Sequence, residues 1–160
     1  MGVGRFLPWR RHLPVAPREH AAAAPRRYVF TVPTEPGCVA LARRTTAARL
    51  LELGITPRSA FADTVLLVVS ELVTNVLRHA SDHSPAAEVG VTAGAGRLVV
   101  GVADRDPRVP ALPAGGTGRG LLTVGELAAR YDGELSIQPA AHGPGKTVLV
   151  RFAMPDPRLR

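Results

Sequence analysis

The most regular pattern of apolar residues lies in the middle of the chain, between Thr56 and Ala80. Its apolar positions recur at intervals of three and four residues, which places them on one face of an α-helix. They are Phe61, Val65, Val68, Leu72 and Val76. Thr56 is a good N-cap residue, and Pro57 suits the first position of a helix. The pattern therefore predicts a long amphipathic helix that opens at Pro57 and runs to about Ala80.

Other stretches of the chain carry the signals of shorter elements. Their β-rich composition predicts five strands, over residues 27–32, 87–93, 97–104, 134–138 and 146–153. Helical patterns predict two further helices, over about 39–53 and 121–131. Strands paired in hairpins and helices grouped together favour an α+β fold, a two-layer α/β sandwich with helices on one face of a mixed, mostly antiparallel sheet. The order does not alternate strand with helix, as a doubly wound nucleotide fold does.

Charge is concentrated at the N-terminus. The chain has a formal net charge of +7, and six arginines against one glutamate lie within residues 1–27. Residues 1–25 are rich in Pro, Arg and Ala and have no periodicity, so we expect a disordered basic tail there and one folded domain over 26–155. The folded part is not conspicuously basic, which disfavours a nucleic-acid-binding core. A nucleic-acid-associated protein is an alternative that depends on the tail alone.

Cysteine content and hydropathy bear on the compartment. Cys38 is the only cysteine, so the chain forms no internal disulfide, as suits a reducing cytosol. No apolar run approaches the roughly 18–20 residues of a membrane span. Prolines interrupt the basic N-terminus where a signal peptide has its apolar segment. We therefore expect a cytoplasmic protein with no membrane partner.

Three polar residues follow one another along the long helix at four-residue spacing: Glu71, Asn75 and His79. This spacing makes them project from one helix face, beside the apolar stripe. A carboxylate and an amide oxygen in a row suit a Mg²⁺–phosphate site, because Mg²⁺ takes a few hard oxygen ligands and keeps several waters. Taken alone, the row also fits the solvated polar edge of a helix.

Three further segments carry residues suited to a nucleotide. The strand over 97–104 ends in Asp104, whose carboxylate can accept a hydrogen bond from an exocyclic amine such as adenine N6. A glycine-rich stretch over 115–120 precedes a helix, where it permits close backbone approach and the helix N-terminus presents free N–H groups to phosphate. Thr147 follows Gly145-Lys146 at the start of the last strand. Alone, each segment also fits an ordinary turn or loop.

In order and spacing, these four segments resemble the N, G1, G2 and G3 boxes of the GHKL ATPase superfamily. Residues 70–80, which contain Glu71 and Asn75, are particularly similar to the stand-alone histidine-kinase-like members, the anti-sigma-factor serine-protein kinases. The resemblance covers about residues 26–153. It implies a Bergerat-type ATP-binding fold, with ATP and Mg²⁺ as cofactors.

The resemblance also implies a role for each matching residue. Asn75 coordinates Mg²⁺, and Glu71 is the general base that activates a serine hydroxyl. Asp104 recognises adenine N6, supported by Thr147. Gly118, Arg119 and Gly120 line the phosphates, and Leu121 is a further cofactor-binding residue. A flexible lid is expected over residues 105–117.

At the level of the whole protein, the resemblance implies a kinase that transfers the γ-phosphate of ATP to a serine of an anti-sigma-factor antagonist. A sigma factor is a further expected partner, and a homodimer is the expected assembly. One departure stands out: Asp104 is followed by Arg105-Asp106-Pro107-Arg108, where the superfamily usually has glycines. An ATP-gated protein-interaction module without significant kinase activity is the alternative. Arg43 and Arg44 are candidates for a partner surface on the first helix.

Overall fold

The computed structural model describes residues 24–110 and 119–156. These residues form five strands, namely β1 (Arg26–Pro33), β2 (Ala86–Gly94), β3 (Arg97–Asp104), β4 (Glu134–Pro139) and β5 (Lys146–Ala153). They also form three helices, namely α1 (Cys38–Glu52), α2 (Ala60–His79) and α3 (Arg119–Ala129). The basic tail predicted over residues 1–25 lies almost entirely outside the described part, as do residues 111–117 of the expected lid.

The strands form one sheet in the order β1-β2-β3-β5-β4. All four pairings within it are antiparallel, so the sheet is not mixed as the sequence led us to expect. For β2 and β3, antiparallel pairing follows from their connection, a two-residue turn at Ala95 and Gly96. Both turn residues have positive φ, 48° and 72°, which matches the right-handed twist of a hairpin. The predicted α+β sandwich is confirmed.

The hydrophobic core lies between the helices and one face of the sheet. In β5 every second residue is buried, so Val148, Val150 and Phe152 face the helices. Three aromatic rings pack edge to face at the centre, with the Phe61 ring centroid 4.9 Å from that of Tyr131 and 5.9 Å from that of Phe152. Three of the chain's seven aromatic residues therefore pack together where α2 meets the sheet.

Helix α2 supplies much of this core. The whole predicted apolar stripe is buried, from Phe61 to Val76. The predicted N-cap at Thr56 is wrong, because the helix begins at Ala60 and the Ser59 hydroxyl accepts a hydrogen bond from the Ala62 amide at 3.1 Å. Arg58 explains the later start, since its φ of 58° is left-handed and interrupts any helix running on from Pro57.

By length and composition, α2 would pass for a membrane-crossing helix, which the sequence analysis did not expect. Its hydropathy has another explanation in the fold, because eight of its twenty residues are buried against the rest of the domain. It also carries Asp63, Glu71 and Arg78 along its length. The helix has the composition of a core element that is covered on one side.

The arrangement of elements brings four chain segments together at one end of the domain. Helix α2 packs against both β3 and α3, and α3 packs against β4 and β5. The C-terminal half of α2, the N-terminus of α3, the end of β3 and the start of β5 therefore surround one space. These segments contain described residues from each of the four boxes that the sequence singled out.

Candidate functional site

A cavity of about 440 Å³ occupies the space between these segments. Its walls are apolar side chains of α2, α3, β3 and β5. They are Leu72, Val76, Val102, Leu121 and Val148. Its polar groups are Asn75, His79, Asp104, Asp106, Arg108 and Lys146. An apolar cleft with a few converging polar groups is the usual form of a small-molecule binding site.

One end of the cavity holds a buried ion pair. Asp104 and Lys146 are each 8% exposed, and the Lys146 ammonium donates to Asp104 Oδ1 at 2.9 Å. The same oxygen accepts a hydrogen bond from the Asp106 amide at 2.9 Å. Lys146 also donates, at 3.4 Å, to the Asp106 carbonyl oxygen. A buried carboxylate without a partner is costly, and the ion pair with Lys146 offsets that cost for Asp104.

A second buried carboxylate lies in the corner after β3, which is the segment of residues 105–108. Asp106 is 2% exposed, and Arg108 holds it by two oxygens, with Nε 2.9 Å from Oδ1 and Nη2 2.6 Å from Oδ2. The same Arg108 Nη2 donates to the His79 carbonyl oxygen at 2.6 Å and so ties this corner to the end of α2. Hydrogen bonds from the Arg108 side chain hold the pKa of Asp106 far below its ordinary value of 3.8, against the opposing effect of burial. Where the superfamily has glycines, this chain has an ion-paired corner.

At the other end, α3 begins against the polar row of α2. A Cβ atom placed on Gly120 would lie 3.0 Å from Glu71 Oε2 and 3.4 Å from Asn75 Oδ1. Only glycine lets the two helices approach this closely without displacing those side chains. The first turn of α3 has backbone N–H groups without partners inside the helix, which favours a phosphate there. Glu71, Asn75 and the N-terminus of α3 therefore meet at one point.

The structure unites most of the predicted site residues. Asn75, Asp104 and Leu121 line the cavity, while Glu71 and Gly120 lie beside it. Of the remaining G2 residues, Arg119 is exposed as the first residue of α3, and Gly118 lies outside the described residues. His79 is exposed at the cavity rim. Its carbonyl oxygen accepts the hydrogen bond from Arg108, which agrees with a role in ending the helix.

Thr147 is not brought to the cavity. Side chains alternate along a strand, and Lys146 and Val148 are the residues of β5 that line the cavity. Thr147 lies on the opposite face of the sheet, in a smaller groove with Gly101 and Ala103. Lys146, the residue before it, lines the cavity where the resemblance implied Thr147. The strand period of two could have indicated this, because Lys146 shares its parity with Val148, Val150 and Phe152.

The donor set fits a purine nucleotide with its base at Asp104 and its phosphates at α3. Within the described part of the chain, both hydrogen bonds to the Asp104 carboxylate reach Oδ1, so Oδ2 can accept from a base amine. Among the described residues no group of three His, Cys, Asp or Glu side chains forms a metal cage. Asn75 Oδ1 suits a Mg²⁺ that takes its other ligands from phosphate and water, and the Glu71 carboxylate lies beside it.

A five-stranded antiparallel sheet, helices on one face and a cleft that joins a buried aspartate to a helix N-terminus define a nucleotide-binding domain of the ATPase type. The chain belongs to the histidine kinase-like ATPase domain family, which matches residues 32–152. The GHKL resemblance is thereby confirmed, and the anti-sigma-factor subfamily stays a prediction. Among curated proteins, none matches the chain.

Solved structures share the fold. The histidine kinase domain of the blue-light activated histidine kinase from Erythrobacter litoralis EL346 is similar to 72% of this chain, with a TM-score of 0.51 and 20% identity. Full-length ShkA in complex with AMPPNP is similar to 83% of this chain, with a TM-score of 0.50 and 18% identity. The chain spans 61% of the length of the first and 33% of the second. At these identities the likeness is one of fold.

Proposed function

We propose that this protein is an ATP-binding, anti-sigma-factor-like serine-protein kinase of the cytoplasm. It transfers the γ-phosphate of ATP to a serine of an anti-sigma-factor antagonist. The observation that carries the proposal is the meeting of Glu71 and Asn75 with Gly120 at the N-terminus of α3, next to a cavity that ends in Asp104. Family membership supports ATP as the nucleotide. ShkA, which shares the fold, was solved with AMPPNP.

Each end of the site has a distinct task in this proposal. Asp104 accepts a hydrogen bond from the base, and the apolar walls contributed by Val76, Val102 and Leu121 cover the flat faces of the ring. At the other end, the amides of the first turn of α3 receive the phosphates. Asn75 supplies a neutral oxygen to Mg²⁺, which offsets the phosphate charge when it is bound.

Glu71 has the position of a general base. Its carboxylate is half-buried beside Asn75 and the start of α3. It would take the proton of the serine hydroxyl as the serine Oγ–phosphorus bond forms and the bond from phosphorus to the ADP oxygen breaks. General-base catalysis of this kind typically contributes about 10²–10⁴-fold to the rate.

The two arginines proposed for a partner surface, Arg43 and Arg44, differ in their contacts within the domain. Arg43 is engaged within the domain, because its Nη1 donates to the Ser70 hydroxyl at 2.8 Å and to the Leu66 carbonyl oxygen at 3.2 Å. It joins α1 to α2, so its guanidinium already has partners within the domain although the residue is exposed. Arg44 is exposed on the same helix, and of the two arginines it is the one we propose for contact with a partner.

Calorimetry with ATP and Mg²⁺ tests the nucleotide site. We expect the wild-type protein to bind ATP and Asn75→Ala to bind it about 10–100-fold more weakly, as loss of a contact to a charged ligand implies. Arg78→Ala is a matched control on α2, because Arg78 is exposed and does not line the cavity. A wild-type protein that fails to bind ATP would overturn the proposal at its first step.

Phosphotransfer from γ-labelled ATP tests the kinase assignment. The acceptor is an anti-sigma-factor antagonist, with a variant lacking its serine as the control. Glu71→Gln should retain ATP binding and lose transfer by about 10²–10⁴-fold. If the wild-type protein binds ATP but labels no antagonist, the protein is the ATP-gated interaction module instead.

A further inference from the structure

Lys146 is the only lysine among twenty basic residues, and it lies at the inner end of the cavity. The turn that delivers it is tightly constrained. Gly145 has a φ of 128°, and a Cβ atom on it would lie 2.2 Å from the Asp104 carbonyl oxygen. This close approach places the start of β5 directly against the end of β3, with the Lys146 side chain turned toward the helices. Lys146 is therefore held between its register partners on the two neighbouring strands, Asp104 of β3 and Pro139 of β4.

We propose that Lys146 is a base-recognising residue, which donates a hydrogen bond to adenine N1 while Asp104 accepts one from adenine N6. The inference rests on the ATP binding proposed above and assigns the second half of base recognition. It replaces Thr147, which lies on the other face of the sheet. Lys146 and Asp104 together present one donor and one acceptor to neighbouring atoms of the same ring edge.

The hydrogen-bonding capacity of the pair supports this role. An ammonium group has three donors, and within the described residues Lys146 directs two of them, to Asp104 Oδ1 and to the Asp106 carbonyl oxygen. The third donor is left for a group in the cavity. On Asp104, Oδ2 is likewise left for a donor in the cavity, because the described partners both reach Oδ1. One donor and one acceptor therefore remain side by side.

The pair also discriminates between purines. Adenine carries a donor at N6 next to an acceptor at N1, which complements Asp104 and Lys146 in that order. Guanine in the same pose sets its O6 acceptor against the Asp104 carboxylate and its N1–H donor against the Lys146 ammonium. A site that leaves buried polar groups unpaired or opposed rejects such an analogue strongly.

A purely structural role makes a different prediction. If Lys146 served only to neutralise Asp104 and Asp106, nucleotide affinity would not depend on the atom at position 1 of the base. If its ammonium bound phosphate instead, the effect of removing it would vanish with adenosine, which has none. Both alternatives are separable by changing the ligand while leaving the protein intact.

The test compares ATP with 1-deaza-ATP, in which N1 is replaced by C–H, using calorimetry with Mg²⁺. We expect wild-type protein to bind 1-deaza-ATP about 10–100-fold more weakly than ATP, the range for a hydrogen bond from a charged donor. 7-deaza-ATP, altered at an atom the proposal does not use, should bind within about twofold of ATP. In Lys146→Met, ATP and 1-deaza-ATP should bind alike, whereas Thr147→Val should keep the full preference. The same comparison with adenosine and 1-deazaadenosine should give the same preference.

A second measurement requires no variant. Because the chain has one lysine, ¹⁵N-lysine labelling gives a single assigned Nζ resonance. Adenosine should shift it, and 1-deazaadenosine should shift it much less.

Equal binding of ATP and 1-deaza-ATP by the wild-type protein would overturn the inference while leaving ATP binding intact. A preference that survives in Lys146→Met and is lost in Thr147→Val would reassign the role to Thr147. No ATP binding at all would instead count against the proposed function.

Discussion

At the scale of single residues, the corner after β3 depends on one buried carboxylate. Asp106 is 2% exposed, and its charge is balanced by the two-point contact with Arg108 and by nearby Lys146. Arg108 also reaches the end of α2 through the His79 carbonyl oxygen. The corner therefore replaces the freedom that glycine gives with a fixed ion pair, and its geometry depends on Asp106 remaining ionised.

Asp106→Asn should destabilise the domain by roughly 1–3 kcal/mol at pH 7, because it removes charge-assisted hydrogen bonds from a buried site. The pKa of Asp106 is lower in the folded protein than its ordinary value of 3.8, so its contribution is present above that value and is lost as the pH falls below it. Urea denaturation should show the difference between wild type and variant narrowing progressively below about pH 4.

The control for this prediction is Asp132→Asn. Asp132 is exposed with a φ of 44°, a conformation that Asn tolerates well. Its stability difference from wild type should be small at every pH. A difference between wild type and Asp106→Asn that stays constant from pH 7 down to about pH 3 would contradict the ionised pair at the corner.

At the scale of elements, the contact between α2 and α3 assembles the phosphate end of the site. Gly120→Ala should weaken ATP binding, because the added methyl group would lie 3.0 Å from Glu71 Oε2 and 3.4 Å from Asn75 Oδ1 and displace both. The fold should tolerate the change, since these side chains can move by a few tenths of an ångström. Calorimetry for ATP beside thermal unfolding separates the two effects.

Gly125→Ala is the matched control on the same helix. Among the residues that the structure describes, none lies within 4 Å of a Cβ atom on Gly125, so the substitution should stabilise the domain by about 0.5–1 kcal/mol through helix propensity alone. Its ATP affinity should equal that of the wild type. If both variants lower ATP affinity equally, the close contact of Gly120 with α2 is not what limits binding.

Element bounds show what the sequence specifies and what it leaves to the fold. Strands β3 and β5 begin and end where their composition predicts. The start of α2 is missed because the left-handed φ of Arg58 is a property of the folded turn and leaves no mark in hydropathy. The pairing of every strand as antiparallel likewise depends on which edges meet, information that lies in contacts between distant segments.

At the scale of the whole molecule, the box pattern predicts which segments form the site but not which side chains enter it. Glu71 and Asn75 were identifiable because helical spacing fixes their common face. The sequence analysis chose Thr147 and missed its neighbour Lys146. A motif is matched by position along the chain, whereas neighbouring residues of a strand point to opposite faces of the sheet. The Asp106–Arg108 pair was also missed, since its value lies in burial and in a contact with α2.

The concentration of positive charge in the N-terminal segment predicts that ATP binding belongs to the domain and that any DNA binding belongs to the segment. Removing residues 1–23 takes away four arginines and one glutamate, and it spares Pro25, which packs against Gly94. Since the described residues that line the cavity all lie between 72 and 148, the shortened chain should bind ATP within about twofold of the full chain. Any affinity of the full chain for duplex DNA should be lost with the segment, and it should weaken steeply with salt, as contacts to phosphates do. Calorimetry with ATP and a salt titration with DNA, each on both chains, measure the two effects. Loss of ATP binding on truncation would mean that the segment contributes to the site, and DNA binding that survives truncation would place a basic surface on the domain itself.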